Sequence, residues 1–335
     1  MDNLQANQRV TGQGPEVSVV IPVRDRAREL DAVLDAMAKQ DFPHGNFEVL
    51  VCDDGSNGDM RSVAERSRDY SSGSKLDVHY FRQPQLGPAS ARNLGIRNAR
   101  GVIIAMTDSD TIPADDWLSR LVSKLAVHPE ASGVEGKVIA NNAGEFEPIG
   151  EGPTNLQGGV FLTCNCAYRR EALDRVGGFD ESFPYPAYED TDLAARVMER
   201  GTIVFEPDAV VVHPERPLTF KAIWKKLHHW EYILLMGMRY GYLGWRKYPT
   251  KHPRLRVALL STIALPLAKF GKAARWLPKR PMRALKLAAL GVFESVGALL
   301  VVVPRALFGD FKRRKVRGSF LDLEPLHIEE IRLKR

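Results

Sequence analysis

Three short acidic clusters punctuate this chain: Asp53-Asp54, Asp108-Ser109-Asp110 and Glu189-Asp190. The middle one is the most informative. It follows Gly101-Val-Ile-Ile-Ala-Met106, an apolar run that reads as a buried strand delivering its acids to the rim of a sheet. In open α/β sheets that rim is where ligands bind. Carboxylates at i and i+2 on a strand end can face one divalent cation, and hard oxygen ligands of this kind suit Mg²⁺ or Mn²⁺ holding a diphosphate. Each cluster also has an ordinary reading. Asp-Gly-Ser after a strand is often only a turn, and Asp190 could be the N-cap of the helix that follows, with Asp192 enriching its first turn. Their recurrence on loop ends of one module favours a site.

The elements that must position these acids follow from periodicity. Residues 17–21 form a β-branched run stopped by Pro22, and residues 27–40 carry Leu30, Val33, Leu34, Met37 and Ala38 at helical spacing. A second buried strand is expected over 47–52, a helix over 59–70, a third strand over 76–81 and a helix over 88–99 with proline at its start. The fourth strand, 101–106, is followed by a helix over 114–127. Such alternation predicts an α/β fold with a mostly parallel sheet. From 141 to 159 the pattern loosens into a Gly/Asn/Pro-rich stretch that reads as a mobile loop. Regularity returns at 160–167, in helices over 169–176 and 190–200, and in one or two short strands within 203–212.

At 335 residues the chain has room for one large domain or two smaller ones. Its net charge of +6 hides an asymmetry: acidic side chains outnumber basic ones up to residue 214, and basic ones dominate from 215 onward. The expected division is therefore an acidic globular module, 1–214, and a basic helical region, 215–335, that seeks anionic surfaces. Cys52, Cys164 and Cys166 cannot form a disulfide framework and suggest a reducing compartment. Cys164-Asn-Cys166 lacks a second thiol pair for a metal and reads as small core residues. Residues 1–15 are polar without an apolar run, so no secretory signal is expected.

Six motifs carry a resemblance: Ser18-Val-Val-Ile-Pro22, Cys52-Asp-Asp-Gly-Ser56, Gly87-Pro-Ala-Ser-Ala-Arg-Asn93, Thr107-Asp-Ser-Asp110, Gly177-Gly-Phe-Asp-Glu181 and Tyr188-Glu-Asp190. In this order and spacing they resemble the family 2 inverting glycosyltransferases of the GT-A fold, a Rossmann-like nucleotide-diphospho-sugar transferase architecture. The resemblance spans 17 to about 214 and covers the tail only loosely. It implies that Pro22, Arg24 and the Asp53-Asp54 pair border the nucleotide base, with one aspartate, Asp53 by preference, accepting from a uracil imide. Arg92 and Asn93 would line the nucleotide pocket, Asp108 would sit by the ribose, and Asp110 would ligate Mn²⁺ or Mg²⁺. His213 matches a further metal ligand, against the alternative of a core or turn histidine before Pro214. Asp190 matches the general base, with Glu189 as a polar neighbour touching the acceptor. The first-strand loop, Val23-Arg24-Asp25-Arg26, lacks the Tyr or Asn common in the family, which removes aromatic stacking on the base.

The chemistry explains the residue types. A metal stabilises the dense charge of a leaving diphosphate, and an acceptor hydroxyl, whose pKa lies far above 7, must surrender its proton to a positioned carboxylate. In-line attack on the opposite face inverts the anomeric carbon without a covalent intermediate. The expected partners are a nucleotide-sugar donor, most simply UDP-linked, and a glycan or lipid-linked acceptor. Gly177-Gly178 turns the chain sharply into a loop where Tyr185, Pro186 and Tyr188 offer surface for a sugar ring or lipid, or simply pack.

Beyond 215, Lys221, Trp224, Lys225, Lys226, Trp230, Tyr232, Arg239, Tyr240, Tyr242 and Trp245 interleave cations with aromatics, a membrane-interface composition, and Lys225 or Arg239 are candidates to close over the diphosphate. Apolar stretches at 255–268 and 285–303 follow, the first interrupted by Arg256 and Pro266 and the second by Lys286 and Glu294. A mid-helix Glu is costly in lipid. In-plane or re-entrant association with anionic lipid is favoured, ahead of soluble helices packed on the module or a partner, and of spanning helices. Nucleic acid is not expected. The reading is a cytoplasmic enzyme peripheral to the inner face of the cell membrane, making single or few transfers. The alternatives are a polyprenyl-phosphate sugar synthase, whose phosphate acceptor needs no base, and a nucleotide- or membrane-binding scaffold. A nicotinamide enzyme is disfavoured because no G-x-G-x-x-G follows the first strand.

Overall fold

The structure, a computed structural model, describes residues 14–43, 45–67, 76–141, 150–183, 187–228, 263, 265–278 and 281–304. Tyr185, Pro186, the cations and aromatics from Trp230 to Trp245, Arg256 and the loop residues 142–149 lie outside them, as does the side chain of Lys225. The chain divides into two compact units, Met1–Asn141 with Gly152–Pro214, and Asn142–Glu151 with Glu215–Arg335.

The first unit is built on an eight-stranded sheet of order β3-β2-β1-β4-β8-β6-β9-β5. Its strands are β1 (Val17–Val23), β2 (Phe47–Asp54), β3 (Val78–Gln83), β4 (Ile103–Met106), β5 (Ile112–Pro113), β6 (Ala131–Asn141), β8 (Cys166–Arg169) and β9 (Thr202–Pro214). β1 lies between β2 and β4 and is parallel to both. The chain therefore winds outward in both directions from β1, which opens a crevice at the carboxyl ends of β1, β2 and β4. All three acid-bearing loops of the first half emerge there.

Continuous apolar runs suit these strands because helices cover both faces. On one face Val17, Val19 and Ile21 pack with Leu30, Leu34 and Met37 of α1 (Ala27–Ala38) and with Trp117 and Leu121 of α4 (Trp117–Val127). α2 (Met60–Arg66) adds Met60 and Val63 to this face. On the other, Val20 and Cys52 meet Ala91 and Ile96 of α3 (Pro88–Asn98), beside Leu173 of α5 (Arg170–Val176) and Leu193 of α6 (Glu189–Met198). α3 sits close to the sheet at Gly95, where a Cβ would fall 2.4 Å from Val20 Cγ1.

The sheet is parallel through β3-β2-β1-β4 and again between β6 and β9, but β8 runs antiparallel to both β4 and β6. Among the described residues between β6 and β8 there is no crossover helix, and the antiparallel direction needs none. Two expectations shift as a result. The regular stretch at 160–167 contributes strand only from Cys166 onward, and the separate short strands expected within 203–212 are one long strand, β9. β6, eleven residues in the middle of the sheet, has no counterpart in the sequence reading. Its two glycines and the charged Glu135 and Lys137 mask it.

In the second unit, two-residue strands β7 (Gly150–Glu151) and β10 (Arg216–Pro217) pair antiparallel. Helices α7 (Phe220–His228), α8 (Leu265–Trp276) and α9 (Pro281–Gly297, continued by a π-turn at Ala298–Val302) enclose Leu218, Ile223, Leu227, Leu287 and Leu290. Among the described residues, one helix, Pro281–Val302, is long and apolar enough to cross a membrane, with mean hydropathy 1.9 and 39% of its apolar window buried. Glu294 is turned inward, 5% exposed, with Lys269 Nζ on α8 donating to it at 2.6 Å. The charge that argues against lipid contact is thus neutralised on the helix's inner face.

Candidate active site

The β1–α1 loop begins the rim. Pro22 is partly buried within β1 and Arg24 is exposed, its Nε 3.7 Å from Asp25 Oδ2. Asp25 takes a left-handed φ of 51°. Its N–H donates to Ser56 Oγ (2.9 Å) and its Oδ1 accepts from Asn57 N–H (2.7 Å), clipping this loop to the one after β2. The clip aims the next residue, Arg26, across the rim, where its guanidinium donates to Asp110 Oδ2.

Asp53 and Asp54 end β2 almost completely buried. Asp53 accepts from Ser56 N–H at 2.8 Å and from the Tyr80 hydroxyl at 2.5 Å. Burial, reinforced by Asp53, pushes that phenol up to about 12. Asp54 accepts from the N–H groups of Leu86 (2.8 Å) and Gly87 (3.0 Å) and from Gln83 Nε2 (2.9 Å). Gly87 is the N-cap of α3, so Asp54 fixes the entry to that helix. Both carboxylates thus hold the rim's loops in place.

Arg92, on α3 and 3% exposed, is the hub. One terminal nitrogen donates to Asp108 Oδ1 (2.8 Å), the other to Glu189 Oε1 (2.9 Å), and Nε has no partner among the described residues. Although burial works against the charge, Asp108 and Glu189 raise the guanidinium further above its already high value. A permanently charged fork can satisfy two acids from different loops at once.

Asp108 and Asp110 lie in the loop after β4, and His213 lies near the end of β9; ligand atoms of the three fall within 4.8 Å of one another. His213 Nε2 is 4.0 Å from Asp110 Oδ1. His213 Nδ1 is 2.9 Å from the Pro214 carbonyl oxygen. A carbonyl can only accept, so Nδ1 carries the hydrogen, which leaves Nε2 as the ring nitrogen that faces Asp110 and could ligate a metal. Two ligands of one ion sit roughly 3 Å apart at normal bond lengths, so small side-chain shifts complete a two-carboxylate, one-imidazole donor set. Those residues fit a divalent cation.

Glu189 and Asp190 open α6, whose N-cap is Tyr188 in a left-handed conformation (φ 70°) rather than Asp190. Glu189 is buried; burial raises its carboxyl and Arg92 pulls it back. Asp190 is partly buried and accepts from Thr191 N–H at 2.7 Å. The surrounding protein and the charge of Glu189 push its carboxyl up to about 7 from an ordinary 3.8. Both carboxyls of this adjacent pair are therefore raised, and their titrations are coupled through each other's charge.

Asn93, next to Arg92, faces elsewhere. Its Nδ2 donates to the Phe179 carbonyl and to Glu181 Oε1, both at 2.9 Å, and its Oδ1 accepts from Phe179 N–H at 2.8 Å. It therefore holds the turn that follows Gly177-Gly178 rather than the carboxylates around Arg92. The structure brings Arg92, Asp108, Glu189, Asp110 and His213 together and leaves Arg24 outside. Sequence reasoning missed Arg26, which meets Asp110 from the β1–α1 loop, and Tyr80, which meets Asp53 from the neighbouring strand β3. It also missed Glu135, whose buried carboxylate accepts from Phe161 N–H (2.7 Å) and Asn155 Nδ2 (2.9 Å) to shape the 155–161 loop.

Comparison with known proteins agrees with this geometry. The family model described as "Glycosyl transferase family 2" matches residues 18–177, and "Glycosyl transferase family group 2" matches 103–304, more than half of the chain. Glycosyltransferase AglE of Haloferax volcanii is 29% identical over 228 residues, 62% of this chain and 70% of AglE. Several other curated relatives are longer, and the chain spans less than half of each. Among solved structures, mannosyltransferase PcManGT of Pyrobaculum calidifontis, in complex with GDP-Man and Mn²⁺, superposes with TM-score 0.60 at 20% identity, covering 89% of this chain and 93% of that one. TarS of S. aureus in complex with UDP gives 0.53 at 17%, covering 90% and 94%. The fold is the GT-A architecture of glycosyltransferases. The chain belongs to the family 2 glycosyltransferases.

Proposed function

We propose that the protein is a metal-dependent inverting glycosyltransferase that moves one sugar from a nucleoside diphosphate, UDP by preference, to a hydroxyl of a glycan or lipid-linked acceptor. The observation that carries the reading is the position of Asp190, tuned to about 7 and joined through Glu189 and Arg92 to the donor-side Asp108. A carboxylate near neutrality is matched to removing a hydroxyl proton. Asp108, Asp110 and His213 would hold Mn²⁺ or Mg²⁺, which when bound offsets the charge of the departing diphosphate. Asp53 and Asp54 hold the base-side loops, Pro22 and Arg24 border them, and Asn93 holds the acceptor-side turn. Arg92 pairs with Glu189, and the surrounding protein and the charge of Glu189 raise the Asp190 carboxyl, which makes its ionised form a stronger base. Complexes of the solved neighbours with UDP and with GDP-Man leave uridine and guanosine donors as the two to compare. The basic second unit would place the enzyme on the inner face of the cell membrane, where lipid-linked acceptors are presented.

Calorimetric titration of UDP- and GDP-sugars with and without Mn²⁺ tests the assignment. One donor should bind, more tightly with Mn²⁺. Asp110→Ala should lose the metal-dependent part, while Asp190→Ala binds donor without turnover. If no nucleoside diphosphate binds under any condition, the reading fails. Largely intact turnover in Asp190→Asn would instead point to a polyprenyl-phosphate acceptor, already ionised.

A further inference from the structure

We propose that Arg26 is a built-in counter-ion of the metal site. In the nucleotide-free protein its guanidinium holds Asp110, and it is exchanged for a divalent cation when a diphosphate arrives, so that metal and diphosphate bind cooperatively. The inference rests on reading Asp108, Asp110 and His213 as the metal ligands.

Four observations support it. Arg26 pairs with Asp110 Oδ2, the second oxygen of the carboxylate whose Oδ1 approaches His213 Nε2. The pairing is built in, because the Asp25 backbone and side chain bind Ser56 and Asn57 and fix the base of the arginine. Its head is reachable: the Arg26 side chain is 32% exposed and that of Asp110 only 6%. Arg92 holds Oδ1 of the other acid, Asp108. Each metal-site carboxylate thus has its own arginine, but Arg92 is 4% exposed and fixed between two acids. Arg26 is the one that can move.

The exchange follows from charge. A guanidinium on Asp110 neutralises part of the acidic cluster and repels an incoming dication. A diphosphate offers the guanidinium a better-matched, bidentate partner with more negative charge. Arg26 then leaves Asp110 to the metal and contributes a second cation to the diphosphate. By linkage, whatever factor the diphosphate adds to metal affinity, the metal adds to diphosphate affinity.

The test titrates MnCl₂ into wild type, Arg26→Gln, Arg26→Ala and Arg26→Lys, each alone and with saturating UDP or GDP. Electron paramagnetic resonance counts the bound Mn²⁺. Without nucleotide, the Gln and Ala variants should bind Mn²⁺ about tenfold tighter than wild type, within the usual range of coupling between sites. The tightening conferred by nucleotide should shrink by a similar factor. Arg26→Lys, which keeps the charge, should stay close to wild type without nucleotide. Unchanged or weaker Mn²⁺ binding in both neutral variants overturns the proposal, as does the absence of Mn²⁺ binding to every form. Failure of any nucleotide to bind counts against the glycosyl-transfer reading, whereas the nucleotide-free titrations judge Arg26 alone.

Discussion

Glu189 and Asp190 are neighbours in sequence and opposites in environment. Glu189 is locked against Arg92, while Asp190 has a neighbouring threonine and the negative charge of Glu189 beside it. The direction of its shift fixes two outcomes. A general base acts ionised, so the turnover rate should fall as pH drops below about 7. Asp190→Asn should lose about 10²–10⁴-fold in turnover while still binding donor. The native state also holds the Asp190 proton at pH values where the unfolded chain, near 3.8, has released it. Stability contributed by this group is therefore fully present below pH 3.8 and declines toward pH 7, by at most about 1.4 kcal/mol per pH unit. At pH 8 the Asp190→Asn protein should melt above wild type, and at pH 4 the two should converge. A pH–rate profile and thermal melts at the two pH values check this. A purely structural Asp190 would instead melt lower when replaced.

At the scale of elements, α3 works on two sides. Arg92 reaches Asp108 and Glu189, and Asn93, one residue on, grips the glycine turn. Gly178 sits in that turn at φ +74°, and a Cβ there would fall 2.5 Å from Asn93 Oδ1. Gly178→Ala should cost about 1–3 kcal/mol, from the left-handed backbone and the displaced Asn93. Asn93→Ala should cost about 1–3 kcal/mol by leaving the Phe179 N–H unmatched. Because both substitutions break one contact, urea denaturation of the double variant should show less than the sum of the two losses. Strictly additive losses would separate the helix from the turn.

What was legible in the sequence divides along the same line. β1, β2, β4 and their covering helices announce themselves through runs of apolar residues, and the acid motifs mark the ends of those strands. β6 did not, because two glycines and the charged Glu135 and Lys137 dilute its pattern, and the antiparallel direction of β8 is not encoded by its apolar run. Nor did the pairing of Arg26 with Asp110, 84 residues apart, which no local spacing encodes. Asn93 was legible as a motif residue but its task was not, since that depends on which loop the fold lays beside it.

For the whole molecule, the excess of positive charge beyond residue 214 meets a helix whose outer face is apolar. On α9 and its π-turn, Leu285, Val292, Val296 and Leu299 are exposed at i, i+7, i+11 and i+14, one continuous stripe. Glu294, the single acid between 281 and 304, faces Lys269 inside. Exposed Lys286 stands beside the first residue of the stripe, a cation long enough to reach headgroups while the apolar residues enter the acyl boundary. That arrangement fits a helix lying in an anionic interface, the placement proposed for this enzyme. The full chain should co-sediment with phosphatidylglycerol vesicles and less with phosphatidylcholine, and salt should weaken but not abolish binding, because the apolar part is not screened. Leu299→Asp or Val292→Asp places a carboxylate where lipid would be, at a cost of about 2–3 kcal/mol. Each should cut the vesicle-bound fraction at least tenfold and leave donor binding unchanged. If wild type and both variants partition alike, or if the aspartates instead dissociate a dimer seen in sedimentation equilibrium, the stripe belongs to a second protein surface rather than to lipid.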